Sequence, residues 1–445
     1  MLQMTSSTSA TPPGEPVADE ANRGERARQV LIRNDRGGYT VPSPGLYPFQ
    51  WNWDSAVTAL GWMTFDEPRA WRELDRLFEG QWDNGMVPHI IFHVQADTYF
   101  PGPAEWGAEG GNHSPTSSIS QPPLAATMVR MMSERARDGA LADREVTRLL
   151  PHLLAWHRWW FRDRDPDKTG LVVTFHPWES GLDNSPAWDA PLAAVPPTTR
   201  AYARRDTGFV DAARRPRQAD YDRYVYLMDF FRQAKFDPAR LYAECPYRVA
   251  DFGLNAILLR ATEDLAELCR RYGELGGAEE MSVAAGRSRQ ALDDLWSEKL
   301  GAYVSRDTRA GRLLEARTLS TFLAWYGRMA ESTEVDRQLL TGLNEWTART
   351  PHGLASTHPD APEFDPQRYW RGPAWPHMNW LIARGLADAG HREEAAALHK
   401  ATRSLIANGG FREYFNPMTG EGYGGGDFSW TAAVALFWCA AESSS

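Results

Sequence analysis

The chain is poor in cysteine: Cys245, Cys269 and Cys439 are its 3 cysteines in 445 residues. Their number is odd, their spacing wide, and no two form C-x-x-C. That excludes a disulfide framework and a thiolate metal clip, and it suits reduced thiols in a cytosolic, cytoplasmic protein. No apolar run is long enough to span a bilayer. The start, MLQMTSSTSATPPGEPVADE, lacks the basic region and apolar run of a signal peptide. Residues 1–20 read instead as a disordered tail. The net charge of -10, with no sustained basic stripe, argues against a nucleic-acid partner or a membrane surface. An anionic small molecule would then need a local arginine. No Walker A loop, Rossmann fingerprint or G-x-S-x-G occurs, and no flexible linker divides residues 21–445, which are expected to form a single domain.

What the chain has in quantity is tryptophan, 19 residues of it, within a 12% aromatic content. Core packing accounts for part of this. Aromatic faces also hold sugar rings, whose axial C–H bonds pack on them. Helical periodicity dominates the rest. Val146, Leu149, Leu150, Leu153 and Leu154 recur at helix spacing, as do Leu254, Ile257, Leu258, Ala261, Leu265 and Leu268. Further helices are expected near 24–34, 54–63, 67–80, 120–135, 279–298, 315–329, 333–346, 373–389, 392–407 and 429–441. Strand-like runs are confined to MVPHIIFHV (86–94) and GLVVTFH (170–176). The pattern is all-α with short hairpin-like insertions, and it has no fixed repeat that would make it a solenoid. Residues 184–224 carry prolines, arginines and too many aromatics for a free linker, and read as a lid segment, ordered or mobile.

Two metal-like patterns fall short. Asp163, Asp165 and Asp167 have EF-hand spacing, but Lys168 stands where glycine is needed and Thr174 where a bidentate glutamate is needed. His89 and His93 lie four apart in a strand-like run without the glutamate of a zinc-protease helix. No metal and no cofactor are expected.

Aromatic clusters containing acids remain. In HPWESGLDNSP, Glu179 and Asp183 sit four apart beside Trp178 in a segment broken by Gly181 and Pro186. LYPFQWNWDSA holds Tyr47, Trp51, Trp53 and Asp54, DTYFPGP holds Tyr99, and SSISQPP holds Gln121. YDRYVY holds Tyr221, RYWRGPAWP holds Tyr369, Trp370, Arg371 and Trp375, and FREYFNPMTGEGYGGG holds Glu413 and Glu421. Each alone reads equally as a packed corner. Together they fall at helix ends and in the loops that follow, where a helical toroid would gather a pocket. Glycosidic hydrolysis requires a pair of carboxyls. Spacing does not separate Glu179 from Asp183 as the acid, and Glu179 also reads as a loop anchor through backbone N–H groups. Glu421 reads as a surface-turn residue and Arg371 as a structural ion-pair partner.

QWNWD, WESGLDNSP, YWRGPAWP and FREYFNPMTG stand here in the order found in glycoside hydrolase family 63. From about Tyr47 to Trp430 the chain resembles that family's bacterial glucosylglycerate and mannosylglycerate hydrolases. The resemblance implies an (α/α)6 barrel and an inverting α-glycosidase, with Asp183 as general acid and Glu413 as general base. It places Tyr47, Trp51, Trp53, Asp54, Trp178, Gly181, Trp370 and Trp375 around the sugar, and Tyr99, Gln121, Arg215, Tyr221 and Tyr369 around a glycerate group. Phe428 stands where the family carries a glutamine. Alternatives are a trehalase-like or oligosaccharide-trimming hydrolase on the same barrel, and a non-catalytic sugar-binding protein, which would lose one of the two acids. An epimerase or lyase would need a proton-abstracting His or Tyr. Arg215 favours an anionic substrate, and nothing in the sequence argues against a homo-oligomer.

Overall fold

The computed structural model describes residues 17–330 and 333–440. Most of the tail segment, residues 1–16, lies outside the described residues. Helices close into a ring. The inner helices Asn52–Met63, Ala125–Arg135, Phe252–Arg271, Leu323–Tyr326, Pro376–Asp388 and Ser429–Val434 each pack on the next, and the last packs on the first. Around them run the outer helices Val17–Asn34, Glu67–Phe78, Gly139–Asp163, Leu275–Leu292, Thr333–Thr347 and Arg392–Gly409. The chain alternates outer and inner, so the fold is an (α/α)6 barrel. No helix among the described residues is long and apolar enough to cross a membrane.

The expected helices at 54–63 and 67–80 both form, and they differ in burial. In the inner helix Asn52–Met63 every residue is buried, so its sequence has no polar stripe. The outer helix Glu67–Phe78 buries Ala70, Trp71, Leu74, Leu77 and Phe78 on one face and leaves Pro68 and Arg72 exposed on the other, the usual pattern of a surface helix. Three of the helix starts are fixed by carboxylate caps. Asp66 accepts from Arg69 N at 3.0 Å, Asp138 from Leu141 N at 2.9 Å, and Asp251 from Gly253 N at 3.1 Å and Leu254 N at 3.2 Å.

Several expected elements change. Of 86–94 only Ile90–Ile91 is strand, paired antiparallel with Gln50–Trp51. Residues 170–176 make a single bridge, Thr174 to Val249, because side chains take neighbouring N–H groups: Asn255 accepts from Val172 N at 2.9 Å and Glu179 from Phe175 N at 2.7 Å. The stretch 315–329 is helical only from Leu319 to Tyr326, and Thr318 bridges Thr357. The segment 184–224 ends inside a helix, Gln218–Gln233, that periodicity did not reveal. A sheet of Val249–Ala250, Ser305–Asp307 and Arg312–Leu314 also went unforeseen.

Candidate active site

Site residues gather on one rim of the barrel, in the connections that run from an outer helix to the next inner one. These connections and the first turns of the inner helices line a cavity. Of the expected site residues, Tyr47, Trp51, Trp53, Asp54, Tyr99, Gln121, Trp178, Gly181, Asp183, Arg215, Tyr221, Tyr369, Trp370 and Glu413 line it. Pro42, His89, Asp206, Phe428 and Trp430 line it too and were not assigned to it from the sequence. Asp206 sits in RRDTGF, a stretch whose charges look solvated, so no local signal marks it.

Glu413 precedes the strand Tyr414–Phe415, which pairs with Gly422–Tyr423. This hairpin turns the carboxylate inward, where it is fully buried. Tyr47 donates to Oε1 at 2.9 Å, Tyr369 donates to the same oxygen at 3.0 Å, and Gly425 N donates to Oε2 at 3.1 Å. Gly424, at φ 72°, brings its backbone against the carboxylate where a Cβ would collide with it. Burial raises the pKa of Glu413 above the ordinary glutamate value, and Arg215 and the three donated hydrogen bonds hold that rise back. Three donors on the carboxylate favour its ionised form.

Arg215 is also buried. Its Nε donates to Asp206 at 3.0 Å, its Nη1 to Tyr47 Oη at 3.0 Å, and its guanidinium lies 4.2 Å from the Tyr369 ring centroid. Nη2 has no partner among the described residues. Asp206 is held from its other side by Arg204, at 3.0 and 2.7 Å. The two arginines keep the Asp206 carboxyl below its ordinary range despite burial.

Asp183 has a different environment. Tyr224 donates to its main-chain oxygen at 2.9 Å, while its carboxyl takes no hydrogen bond from another described side chain. Burial pushes its pKa up to about 7, with Arg215 opposing and Glu413 adding to the rise. Asp54, in the first turn of Asn52–Met63, is pushed well above the carboxylate range by burial and then by Glu413. Burial thus raises all three carboxyls, and Glu413 is the one on which Arg215 and three donated hydrogen bonds oppose the rise.

The aromatic floor is built by close approach. Gly181, at φ 73°, lets the Trp53 ring pass where a Cβ would lie 2.6 Å from it. Trp53 meets Trp430 edge-on at 5.9 Å, and Trp430 donates from Nε1 to the main-chain oxygen of Glu413 at 3.1 Å. Gln121 accepts from Trp53 N at 3.3 Å. Trp375 corrects the sequence reading: it does not line the cavity but stacks behind Trp370, centroids 3.7 Å apart and planes at 2°. Phe428 meets Tyr47 edge-on at 5.9 Å, so an apolar ring stands on the cavity wall.

Glu179 is an anchor. Arg164 pairs with it at 2.6 Å, Phe175 N donates at 2.7 Å and Ser120 N at 3.4 Å, and it does not line the cavity. Arg371 pairs with Asp189, and Glu421 accepts from Tyr423 at 2.9 Å. Asp163 pairs with Arg162, Asp165 caps the turn at Thr169 and Gly170, and Asp167 accepts from Tyr242. His89 contacts Ser117 and His93 contacts Gln50 and Arg76, so the two imidazoles do not converge. The described residues include no group of three or more His, Cys, Asp or Glu able to hold a metal ion.

Comparison with known proteins adds a family. Residues 47–431 match the model of the mannosylglycerate hydrolase MGH1-like glycoside hydrolase domain. The chain is 46% identical over 415 residues to mannosylglycerate hydrolase MGH1 of Selaginella moellendorffii, covering 93% of this chain and 85% of that one. It is 35% identical over 443 residues to the glucosylglycerate hydrolase of Mycolicibacterium hassiacum, covering 96% and 99%. The crystal structure of the family 63 mannosylglycerate hydrolase of Thermus thermophilus, in complex with Tris and D-glycerate, superimposes with a TM-score of 0.90 at 45% identity, over 94% of this chain and 99% of that one.

Proposed function

The chain belongs to the mannosylglycerate hydrolase MGH1-like glycoside hydrolase family, and we propose that it cleaves the α-glycosidic bond of mannosylglycerate or glucosylglycerate, giving free hexose and glycerate. It is a glycosidase, and inversion of configuration is consistent with its family. Asp183, with a pKa near 7, is the group we assign to protonate the leaving oxygen. Glu413, anchored as an anion by Tyr47, Tyr369 and Gly425, is the base that activates water on the opposite face of the ring.

The observation that carries the substrate class is Arg215, a buried guanidinium on the cavity wall with Nη2 unpartnered among the described residues. It offers a donor and a charge to the glycerate carboxylate. In this reading the segment 184–224, which supplies Asp206, Arg215 and Tyr221, covers the aglycone. The single-domain reading of residues 21–445 agrees with a ring that closes its last helix on its first inner one. Three buried, widely spaced cysteines support a cytoplasmic setting. Hydrolysis assays on mannosylglycerate, glucosylglycerate, trehalose, kojibiose and nigerose test the proposal. Turnover of a glycerate glycoside well above the neutral disaccharides is expected. The reverse order would return the chain to the trehalase-like alternative.

A further inference from the structure

The group assigned to read the aglycone and the group assigned to activate water are joined by the same two tyrosines. Arg215 Nη1 donates to Tyr47 Oη at 3.0 Å, and Tyr47 donates onward to Glu413 Oε1 at 2.9 Å. Tyr369 gives its ring face to the Arg215 guanidinium at 4.2 Å and its hydroxyl to the same Oε1 at 3.0 Å. The two hydroxyls stand 3.2 Å apart. A charge change at the guanidinium is therefore felt at the base through one hydrogen-bonded atom.

We propose that the substrate's own carboxylate switches the catalytic pair through this relay: by docking on Arg215 it neutralises the cation, weakens the pull of Nη1 on Tyr47, and leaves Glu413 more basic and Asp183 more firmly protonated. The inference rests on the assignment of Arg215 as the carboxylate reader. It adds that an anionic aglycone raises the chemical rate as well as the affinity.

The surroundings leave the switch to Arg215. Asp54 faces the two carboxyls from the first inner helix, and His89 and Tyr99 face them from the second connection. Asp206 and Tyr221 come from the third connection, with Arg204 behind Asp206 and Tyr224 beneath Asp183. Tyr369 comes from the fifth connection and Tyr414 adjoins Glu413. His89 is held neutral by burial. Among the described residues that line the cavity, Arg215 is the standing cation, and it depresses both carboxyls. Asp206 is its resident counter-ion, so the guanidinium keeps a defined place when no substrate carboxylate is present.

The sign follows directly. Removing a cation next to a carboxyl raises its pKa, so both limbs of the bell-shaped rate profile move to higher pH once an anionic aglycone is bound. The free enzyme is reported by kcat/KM and the complex by kcat. The test compares a glycerate glycoside with the matched glycerol glycoside, which lacks the carboxylate. With the glycerate substrate, the kcat limbs should lie about one pH unit above those of kcat/KM. With the glycerol substrate the two profiles should coincide. In Tyr47→Phe the kcat advantage of the glycerate substrate should shrink toward one, while the KM preference set by Arg215 persists. Coincident limbs on both substrates, or equal kcat losses on both in Tyr47→Phe, would overturn the relay. Arg215→Ala separates the two levels. A KM increase confined to the glycerate substrate supports the reader, and the limbs then decide the relay. An equal increase on both substrates overturns the reader and the relay together.

Discussion

Tyr47 and Tyr369 reach Glu413 from two different connections and both donate to the same carboxylate oxygen, at 2.9 and 3.0 Å. Two donors on one oxygen fix the carboxylate in plane and supply part of the hydration that burial removed. Oε2, which takes a single bond from Gly425 N, retains acceptor capacity for a water.

Replacing either assigned carboxyl by its amide keeps the shape and removes the proton transfer. Asp183→Asn and Glu413→Gln should each lower turnover by about 10²–10⁴-fold with thermal unfolding little changed. Glu179→Gln should behave in the opposite way. It leaves Arg164 buried beside a neutral amide, and breaking a buried pair costs about 3–5 kcal/mol. The expected result is a lowered melting temperature with residual activity in the folded fraction. Loss of turnover without loss of stability in Glu179→Gln would return the acid role to it.

Stability should also report on Asp183. Its pKa in the folded protein is raised from 3.8 to about 7, so the folded state holds a proton that the unfolded chain releases. The protonated carboxyl contributes its full stability below the unfolded value, and that contribution is lost as pH rises from about 4 to about 7. Asp183→Asn does not titrate there. Its melting temperature should gain on the wild type across that interval and stay ahead at pH 8. Parallel curves would mean that Asp183 titrates like an exposed carboxyl.

Inversion has a direct signature. An α-glycoside hydrolysed in one displacement releases the β hexose first, and proton NMR in the first minutes of the reaction should show it ahead of mutarotation. An α anomer at early times would require a covalent intermediate and would overturn the single displacement.

Gly181 should tolerate no side chain. Its φ of 73° disfavours other residues, and a Cβ would lie 2.6 Å from the Trp53 ring. Gly181→Ala should cost about 1–3 kcal/mol in stability and raise KM, because Trp53 is displaced from the cavity floor. Unchanged KM would separate Trp53 from the sugar subsite.

Much of this was readable from residue order. The outer helices announced themselves because each has one wet face, and the acid-bearing clusters marked most of the cavity wall. Legibility failed where tertiary contacts replace local ones. Residues 170–176 look like a strand by composition, yet Asn255 and Glu179 side chains satisfy N–H groups that a ladder would have used. Glu179 and Asp183 are equivalent by spacing and are divided by Arg164, fifteen positions upstream of Glu179. Trp375 shares its motif with Trp370 and stacks behind it, a distinction that composition does not contain. Asp206 is recognisable only through Arg204 and Arg215, which close on it in space.

The barrel's two rims are unequal. On the rim opposite the cavity, the turns from inner to outer helix at 64–66, 136–138, 272–274 and 389–391 are a few residues long and contribute nothing to the cavity. These short joints are natural places to reopen the chain. A circular permutant cut at 272–274, or a surface tether attached at 389–391, would leave the opposite mouth free for substrate entry. The enzyme can thus be immobilised mouth outward, with its orientation on a support chosen by which joint is used.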